Sequence, residues 1–289
     1  MKLSARTLLL LVASVALASC DASATTLPPR AWMVTRATIA LEESETGTAG
    51  LDLDGQTSDG TPPPVGEGCA HTDFVGLMGE PGVDAQLVVL GGVIGLFGFG
   101  DINAVLQQTI NEGGLTVLVE LDDVQSMESD RRITVRTFRG EGPVAIGTDG
   151  QAEPGQSFDV RSDGEASEGT GFIADGVLTF GPVPSLTLPL RFAMTRGNVR
   201  LTEVRGRFVL QDDGSVTGML GGVVPVEDIQ ALVVQAIADG GGTGDASLLP
   251  ILQRALYGVA DANYDPAIER CTGITAGIQI DAVEAFILR

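Results

Sequence analysis

An acidic loop near residue 52 is the segment whose residue types and spacing best fit a chemical role. Asp52, Asp54 and Asp59 lie within residues 52–60, among glycine, serine and threonine. Alternating aspartates followed by glycine place carboxylates on one side of a tight loop, and calcium takes about six to eight such oxygens. These three aspartates are therefore the candidate metal ligands, with calcium as the candidate ion. The alternative interpretation is a flexible acidic turn without a ligand.

The same nine residues resemble the D-x-D-G-D-G calcium loops of thrombospondin-type and dockerin-like repeats. The sequence departs from that pattern at Gln56, where a third aspartate is expected, and at Thr57, where glycine is expected. It also lacks the terminal bidentate glutamate of an EF-hand loop. The resemblance implies that calcium would order the glycine- and proline-rich loop 42–68 against the domain.

Motifs for catalysis are missing from the sequence. Nucleophilic hydrolysis needs a base beside the nucleophile, and His71 is the only histidine. We find no G-x-S-x-G elbow, and no P-loop or dinucleotide fingerprint follows a predicted strand. We therefore favour a non-enzymatic binding or structural role. The alternative is a carboxylate-based glycan hydrolase or lyase, which needs only two carboxylates at the right separation.

The amino terminus has the layout of a secretory signal. Lys2 and Arg6 precede the apolar run 8–18, which is too short to span a bilayer permanently. Small residues then lead to Cys20, and the tetrapeptide 17–20 (Leu-Ala-Ser-Cys) resembles the lipobox of bacterial lipoproteins. An ordinary cleavable signal peptide is the alternative.

The lipobox resemblance implies an address in the bacterial cell envelope. Residues 1–19 would be removed, and Cys20 would carry acyl chains such as palmitate that anchor it in a membrane. Residues 20–30 would form a tether, and 31–289 a single β-rich domain. We favour the outer membrane, although Asp21 after the lipidated cysteine leaves the inner membrane open.

A second resemblance covers 32–286 in outline. The Asp-x-Asp-Gly loop, the stretch 79–87 (GEPGVDAQL) and the stretch 220–225 (LGGVVP) are similar to uncharacterised envelope lipoproteins of bacteria. This resemblance implies no particular activity. The partner could therefore be either an envelope protein or a glycan.

Charge excludes one class of partner. Removal of residues 1–19 takes away Lys2 and Arg6, which leaves 15 arginines against 38 acidic residues and a formal charge of −23. Such a surface repels nucleic acid and anionic lipid headgroups, so we expect no nucleic-acid partner.

The remaining cysteines predict a covalent link across the domain. Once Cys20 is lipidated, Cys69 and Cys271 form an even pair in an oxidising compartment, which favours a disulfide. The alternative is two unpaired buried thiols. A zinc site is disfavoured, because two cysteines and His71 lack the spacing of structural zinc sites.

Period-two hydrophobic patterns dominate the chain and predict an antiparallel β-sandwich or jelly roll with about four accessory helices. One strand begins at Trp32, with Met33, Ala37, Ile39 and Leu41 on one face. Helices are predicted over 83–95 with Asp84 near the cap, after Asp101, after Pro225 and after Ser247. The remaining predicted strands span 115–121, 131–138, 157–161, 169–174, 177–180, 185–192, 198–210, 215–220 and 274–280.

Overall fold

The described part of the chain is mainly β and contains four α-helices, as the sequence predicts. A computed structural model describes residues 26–61, 68–69, 71–96, 101–148, 150–162, 166–192, 195–240 and 246–289. The predicted lipobox, Cys20 and Asp21 lie outside the described residues, as does part of the loop 42–68. Within the described ranges no helix has the length and apolar character needed to cross a membrane.

The elements follow one another along the chain in a strand-rich order. The strands are β1 (Arg30–Ile39), β2 (Val117–Asp122), β3 (Asp130–Glu141), β4 (Gln156–Val160), β5 (Ser167–Ala174), β6 (Val177–Phe192), β7 (Thr195–Leu210), β8 (Val216–Pro225), β9 (Ala262–Asp265) and β10 (Arg270–Leu288). The helices are α1 (Gly91–Leu96), α2 (Ile102–Asn111), α3 (Val226–Ala238) and α4 (Leu249–Val259).

Eight of the strands pair around a closed ring. Its order is β1-β2-β3-β5-β6-β7-β8-β10, every neighbouring pair is antiparallel, and β10 returns to β1. The large hydrophobic core lies inside this ring and includes Trp32, Val119, Phe180, Phe208 and Ile278. Closure stabilises the fold because it leaves these neighbouring strands with partners on both sides over much of their length.

A second, smaller ring uses four of the same strands. β4 pairs parallel with the end of β10 and antiparallel with the end of β3, which closes the circuit β1-β2-β3-β4-β10. Its interior is a separate small core that includes Met33, Leu118, Phe138 and Phe158. Strands β1 and β2 therefore bury side chains on both faces.

A bulge in β1 corrects the predicted facing of its residues. The register between β1 and β10 shifts between Val34 and Arg36. A bulge of this kind adds one residue and inverts the alternation beyond it. Trp32 and Ala37 consequently face the large core, whereas Met33 faces the small one. The prediction that Met33 and Ala37 share a face was wrong for this reason.

Two of the predicted helix starts differ from the structure. The Asp101 cap of α2 is confirmed, since its carboxylate accepts a hydrogen bond from Ala104 N at 3.1 Å. The predicted helix 83–95 is instead a 3₁₀ turn followed by α1, and the residue before the turn is Ala85 rather than Asp84. Ser247 lies in a short 3₁₀ turn ahead of α4.

The hairpin predicted from an Asp-Gly step is confirmed between β7 and β8. Gly214 has φ +83, which suits glycine in a tight turn, and its N–H donates to the carbonyl of Gln211. In contrast, the two predicted strands 177–180 and 185–192 are one strand, β6, bent by a bulge between Phe180 and Val183.

The acidic loop packs on the outer surface of the large ring. Ala49 contacts β10 at Gly277, where a Cβ would overlap the carbonyl oxygen of Ala49. Leu53 contacts β8 at Gly221, where a Cβ would lie 2.9 Å from Leu53 Cδ2. At Gly277 the close approach of the two backbones requires glycine, and at Gly221 leucine side chains of the loop occupy the space that a side chain would need. The loop is thereby held against the strands that close the ring.

Candidate functional site

Three carboxylates converge where the acidic loop meets the segment before the 3₁₀ turn. One carboxylate oxygen from each of Asp52, Asp54 and Asp84 lies within 4.8 Å of the others. Asp52 and Asp54 are exposed, whereas Asp84 is only 8% exposed. Two of the three predicted ligands are therefore together, and the third member of the cluster is Asp84, which was predicted to lie near a helix cap.

Backbone hydrogen bonds fix the loop around these carboxylates. Asp52 Oδ1 accepts from Gly55 N at 2.6 Å, and Asp54 Oδ1 accepts from Gln56 N at 2.8 Å. Asp84 Oδ2 accepts from Leu53 N at 2.6 Å, between the two loop aspartates. The Asp84 backbone N–H in turn donates to Leu51 O at 3.0 Å. These bonds set the carboxylate positions before any ligand arrives.

Burial and mutual repulsion oppose the ionised form of the inner carboxylate. The pKa of Asp84 is raised to about 7, mainly by its burial and further by the charges of Asp54, Asp73 and Asp261, against the hydrogen bond from Leu53. Burial also raises the pKa of Asp73, with repulsion from Asp54 and Asp52 adding to it. A cation at this position would relieve that repulsion.

Asp59 does not join the cluster. Its Oδ1 accepts from Thr61 N at 2.9 Å, and the hydrogen bonds of Thr61 lower the pKa of Asp59. Its backbone instead forms an isolated bridge with Thr72. This placement departs from the sequence prediction, which grouped Asp59 with Asp52 and Asp54 because all three lie within the same nine residues.

The separation of the oxygens is compatible with a single calcium ion. Two ligands of one calcium ion lie at most about 5 Å apart, twice the calcium–oxygen distance, and two ligands of magnesium at most about 4 Å apart. The three oxygens all lie within 4.8 Å of one another, which is inside the limit for ligands of a single calcium ion. Three carboxylates provide up to six oxygens, so the donor set also suits calcium chemically.

Comparison with known proteins gives this site no precedent. No protein-family profile, curated protein or solved structure matches the chain. The assignment of the site therefore depends on its own geometry and chemistry.

The predicted disulfide joins Cys69 to Cys271, with 6.1 Å between their Cα atoms. It ties the segment after the acidic loop to the start of β10, where Cys271 is buried in the large core. His71 lies nearby, with its Nε2 3.1 Å from Ala260 O. Burial raises the pKa of Asp261, against the hydrogen bonds from Thr275 and a smaller effect of His71. This histidine is engaged with the backbone rather than with the three-carboxylate cluster.

Proposed function

We propose that this chain is a lipid-anchored protein of the bacterial cell envelope with a non-enzymatic binding or structural role, stabilised by calcium. The lipobox-like tetrapeptide ending at Cys20 supports the anchor, as argued from the sequence. The observation that carries the calcium part is the convergence of Asp52, Asp54 and Asp84 within 4.8 Å. Asp84 supports it further, because a buried carboxylate with carboxylate neighbours is stabilised by a bound cation.

Calcium is expected to raise the thermal stability of the purified full-length protein. A ligand that binds only the folded state adds RT ln(1 + [L]/Kd), or about 2.7 kcal/mol at a hundred-fold excess over Kd. The midpoint of unfolding would be compared in excess calcium and in chelator. We expect a rise in calcium that is lost in the double variant Asp52→Asn/Asp54→Asn.

The matched control for this melt is Glu42→Gln/Glu43→Gln, which removes two exposed charges from the same loop. It should keep the full calcium response. Equal midpoints in calcium and in chelator for the wild type would overturn the calcium site. Equal loss of the response in both double variants would mean that calcium acts only on overall charge.

The anchor is tested independently of the metal. Expressed with its signal in a bacterial host fed labelled palmitate, the wild type should incorporate the label and partition with detergent. Cys20→Ser should incorporate none and stay in the aqueous phase, because the thiol is the acyl acceptor. Labelling that survives Cys20→Ser would contradict the assignment of Cys20 as the lipidated residue.

One observation favours the alternative of a carboxylate-based hydrolase or lyase. The Asp84 pKa of about 7 is suited to a general acid or base. Asp84 is, however, nearly fully buried and does not line the cavity beside the loop, whereas Asp52 does. We rank this function second. New reducing ends or unsaturated products released from an acidic oligosaccharide, and absent with Asp84→Asn, would reverse the ranking.

A further inference from the structure

A cavity of about 700 Å³ on the outside of the large ring is lined by four arginines. Arg131 and Arg132 come from β3, and Arg205 and Arg207 come from β7. Its floor crosses β5 and β6, which lie between those two strands. The acidic loop provides the facing wall through Asp52, with Glu80 beside it. The chain has 38 acidic residues and 16 arginines, and four of those arginines line this one cavity. The charge of the cavity is therefore opposite to that of the chain as a whole.

These four guanidinium groups form no ion pair in the part of the chain that the structure describes. Other arginines there do: Arg136, for example, lies 2.7 Å from Asp122 and 2.8 Å from Glu168, and Arg200 lies 3.0 Å from Asp228. A guanidinium presents five donors in a planar fork that matches carboxylate and phosphate oxygens. The four cavity arginines therefore have hydrogen-bonding capacity available for an external anion.

Bulges turn the arginines toward the cavity. The pairing of β3 with β5 shifts between Asp130 and Ile133, which places Arg131 and Arg132 in a bulge. The pairing of β7 with β8 shifts between Thr202 and Arg205, where Glu203 has φ +54. Bulges of this type re-aim side chains and occur next to binding sites.

Two glycines lie in the floor between the two arginine pairs. A Cβ on Gly171 would lie 2.7 Å from Thr179 O, and one on Gly181 would lie 2.6 Å from Val204 O. Any larger residue at these positions would displace the neighbouring strand. The close pairing of the strands under the cavity therefore needs glycine at both positions.

Strand register places an apolar ring and a hydroxyl between the cations. Phe172 pairs with Thr179, and Thr179 pairs with Arg207, while the bulge of β3 lies opposite Phe172. The row therefore runs from the Arg131/Arg132 pair through Phe172 and Thr179 to Arg207. Its backbone ends are three strand spacings apart, or about 14 Å. Phe172 is 46% exposed, so its ring is available to a ligand.

We propose that this cavity binds an acidic oligosaccharide, with anionic groups of the ligand on the two arginine pairs and an uncharged sugar face on Phe172. A single compact oxyanion would engage one arginine pair and leave the other pair and the ring unused. An oligosaccharide with acidic groups spaced along it engages all three parts. This inference deepens the binding role proposed above and rests on it, but it does not require calcium.

The probe is a trisaccharide of galacturonic acid, titrated calorimetrically into the full-length protein in chelator at low salt. Binding is expected, and added salt should weaken it because the contacts are ionic. Inorganic pyrophosphate is the compact comparison and should bind more weakly. Absence of trisaccharide binding, or pyrophosphate binding at least as tight, would overturn the proposal.

Variants that replace the cavity arginines by uncharged glutamine test whether the ligand binds in this cavity. Arg131→Gln/Arg132→Gln and Arg205→Gln/Arg207→Gln should each raise the Kd of the trisaccharide by roughly tenfold or more, because each removes charge-assisted hydrogen bonds. Phe172→Ala should weaken the trisaccharide and leave pyrophosphate unchanged. All of these side chains lie outside the two cores, so unchanged melting midpoints are expected and are checked first.

Arg254→Gln is the matched control for charge. Arg254 is exposed on α4, outside the cavity, and has no ion pair among the described residues. Its loss should leave the Kd unchanged; an equal effect of Arg254→Gln would mean that only the overall charge matters and would overturn the site. The titration is done in chelator, so its result does not depend on calcium. Absence of trisaccharide binding would not contradict the calcium site, and absence of a calcium effect on the melt would not contradict the oligosaccharide site.

Discussion

Replacing Cys69 and Cys271 by alanine is expected to lower the free energy of unfolding by about 3–5 kcal/mol. The disulfide joins residues 202 positions apart, and a link across so long a loop strongly restricts the unfolded chain. For a domain of this size the loss corresponds to a drop in melting midpoint of about 10 °C.

The single tryptophan provides the measurement. Trp32 is buried in the large core, and its Nε1 donates to Gly214 O at 2.9 Å, so its fluorescence reports opening of the ring. In reductant, the melting midpoint of the wild type should fall close to that of the double alanine variant. The midpoint of the variant itself should not change with reductant. A wild-type midpoint that reductant leaves unchanged would show that the link contributes nothing to stability.

Replacing Asp84 by asparagine is expected to change stability in opposite directions with and without calcium. Asparagine keeps an oxygen that can accept the hydrogen bond from Leu53 N but has no charge to desolvate. In chelator at roughly pH 8 the variant should be more stable than wild type, by about 1–2 kcal/mol; this is less than the full pKa shift would give, since solvent screens part of the effect. In excess calcium it should lose the stabilisation that the wild type gains.

The pH dependence of the wild type in chelator follows from the raised pKa. Between the ordinary aspartate pKa of 3.8 and about 7, the folded state holds a proton on Asp84 that the unfolded state has released. The contribution of Asp84 to stability therefore falls as pH rises through this window and stays low above it. Asp84→Asn should remove this component, which the difference between the two pH profiles isolates.

Asp59→Asn is the control for the Asp84 experiment. It removes the same charge at the aspartate that the sequence favoured, outside the three-carboxylate cluster. We expect it to keep the calcium response. Loss of the response in Asp59→Asn, with retention in Asp84→Asn, would support the assignment made from sequence spacing and contradict the one made from geometry.

Local signals predicted individual elements well. Asp101 caps α2 as its position before an apolar face indicates, and the turn at Gly214 follows from its Asp-Gly step. The extent of β10 was missed: the sequence predicts 274–280, whereas the strand is Arg270–Leu288. Its ends are strands because β4 and β9 pair with them, and no local pattern encodes such long-range pairing.

The same distinction applies to the two sites: residues close in sequence could be predicted to lie together, whereas residues brought together by the fold could not. Asp52 and Asp54 are two residues apart, so their proximity could be predicted from spacing. Asp84 joins them only because the acidic loop folds back to pair Leu51 with it. The arginine cavity was not predictable, because the pairing of β3 with β5, β5 with β6 and β6 with β7 brings together arginines that lie more than 70 positions apart. The negative net charge of the chain gave no indication of this cavity, because net charge describes the whole surface and not one cavity.

The place of β10 in the chain has a consequence for when the protein can fold. β10 pairs with β1, β4, β8 and β9, and it closes both rings, yet it comes after all of its partners in the sequence. While the ribosome is still making the preceding strands, neither core has a complete wall. Pairings between such distant segments form slowly, because the loop between their ends must first be closed. The last strand must therefore be synthesised before either ring can close, so the folding of both cores is completed only after translation.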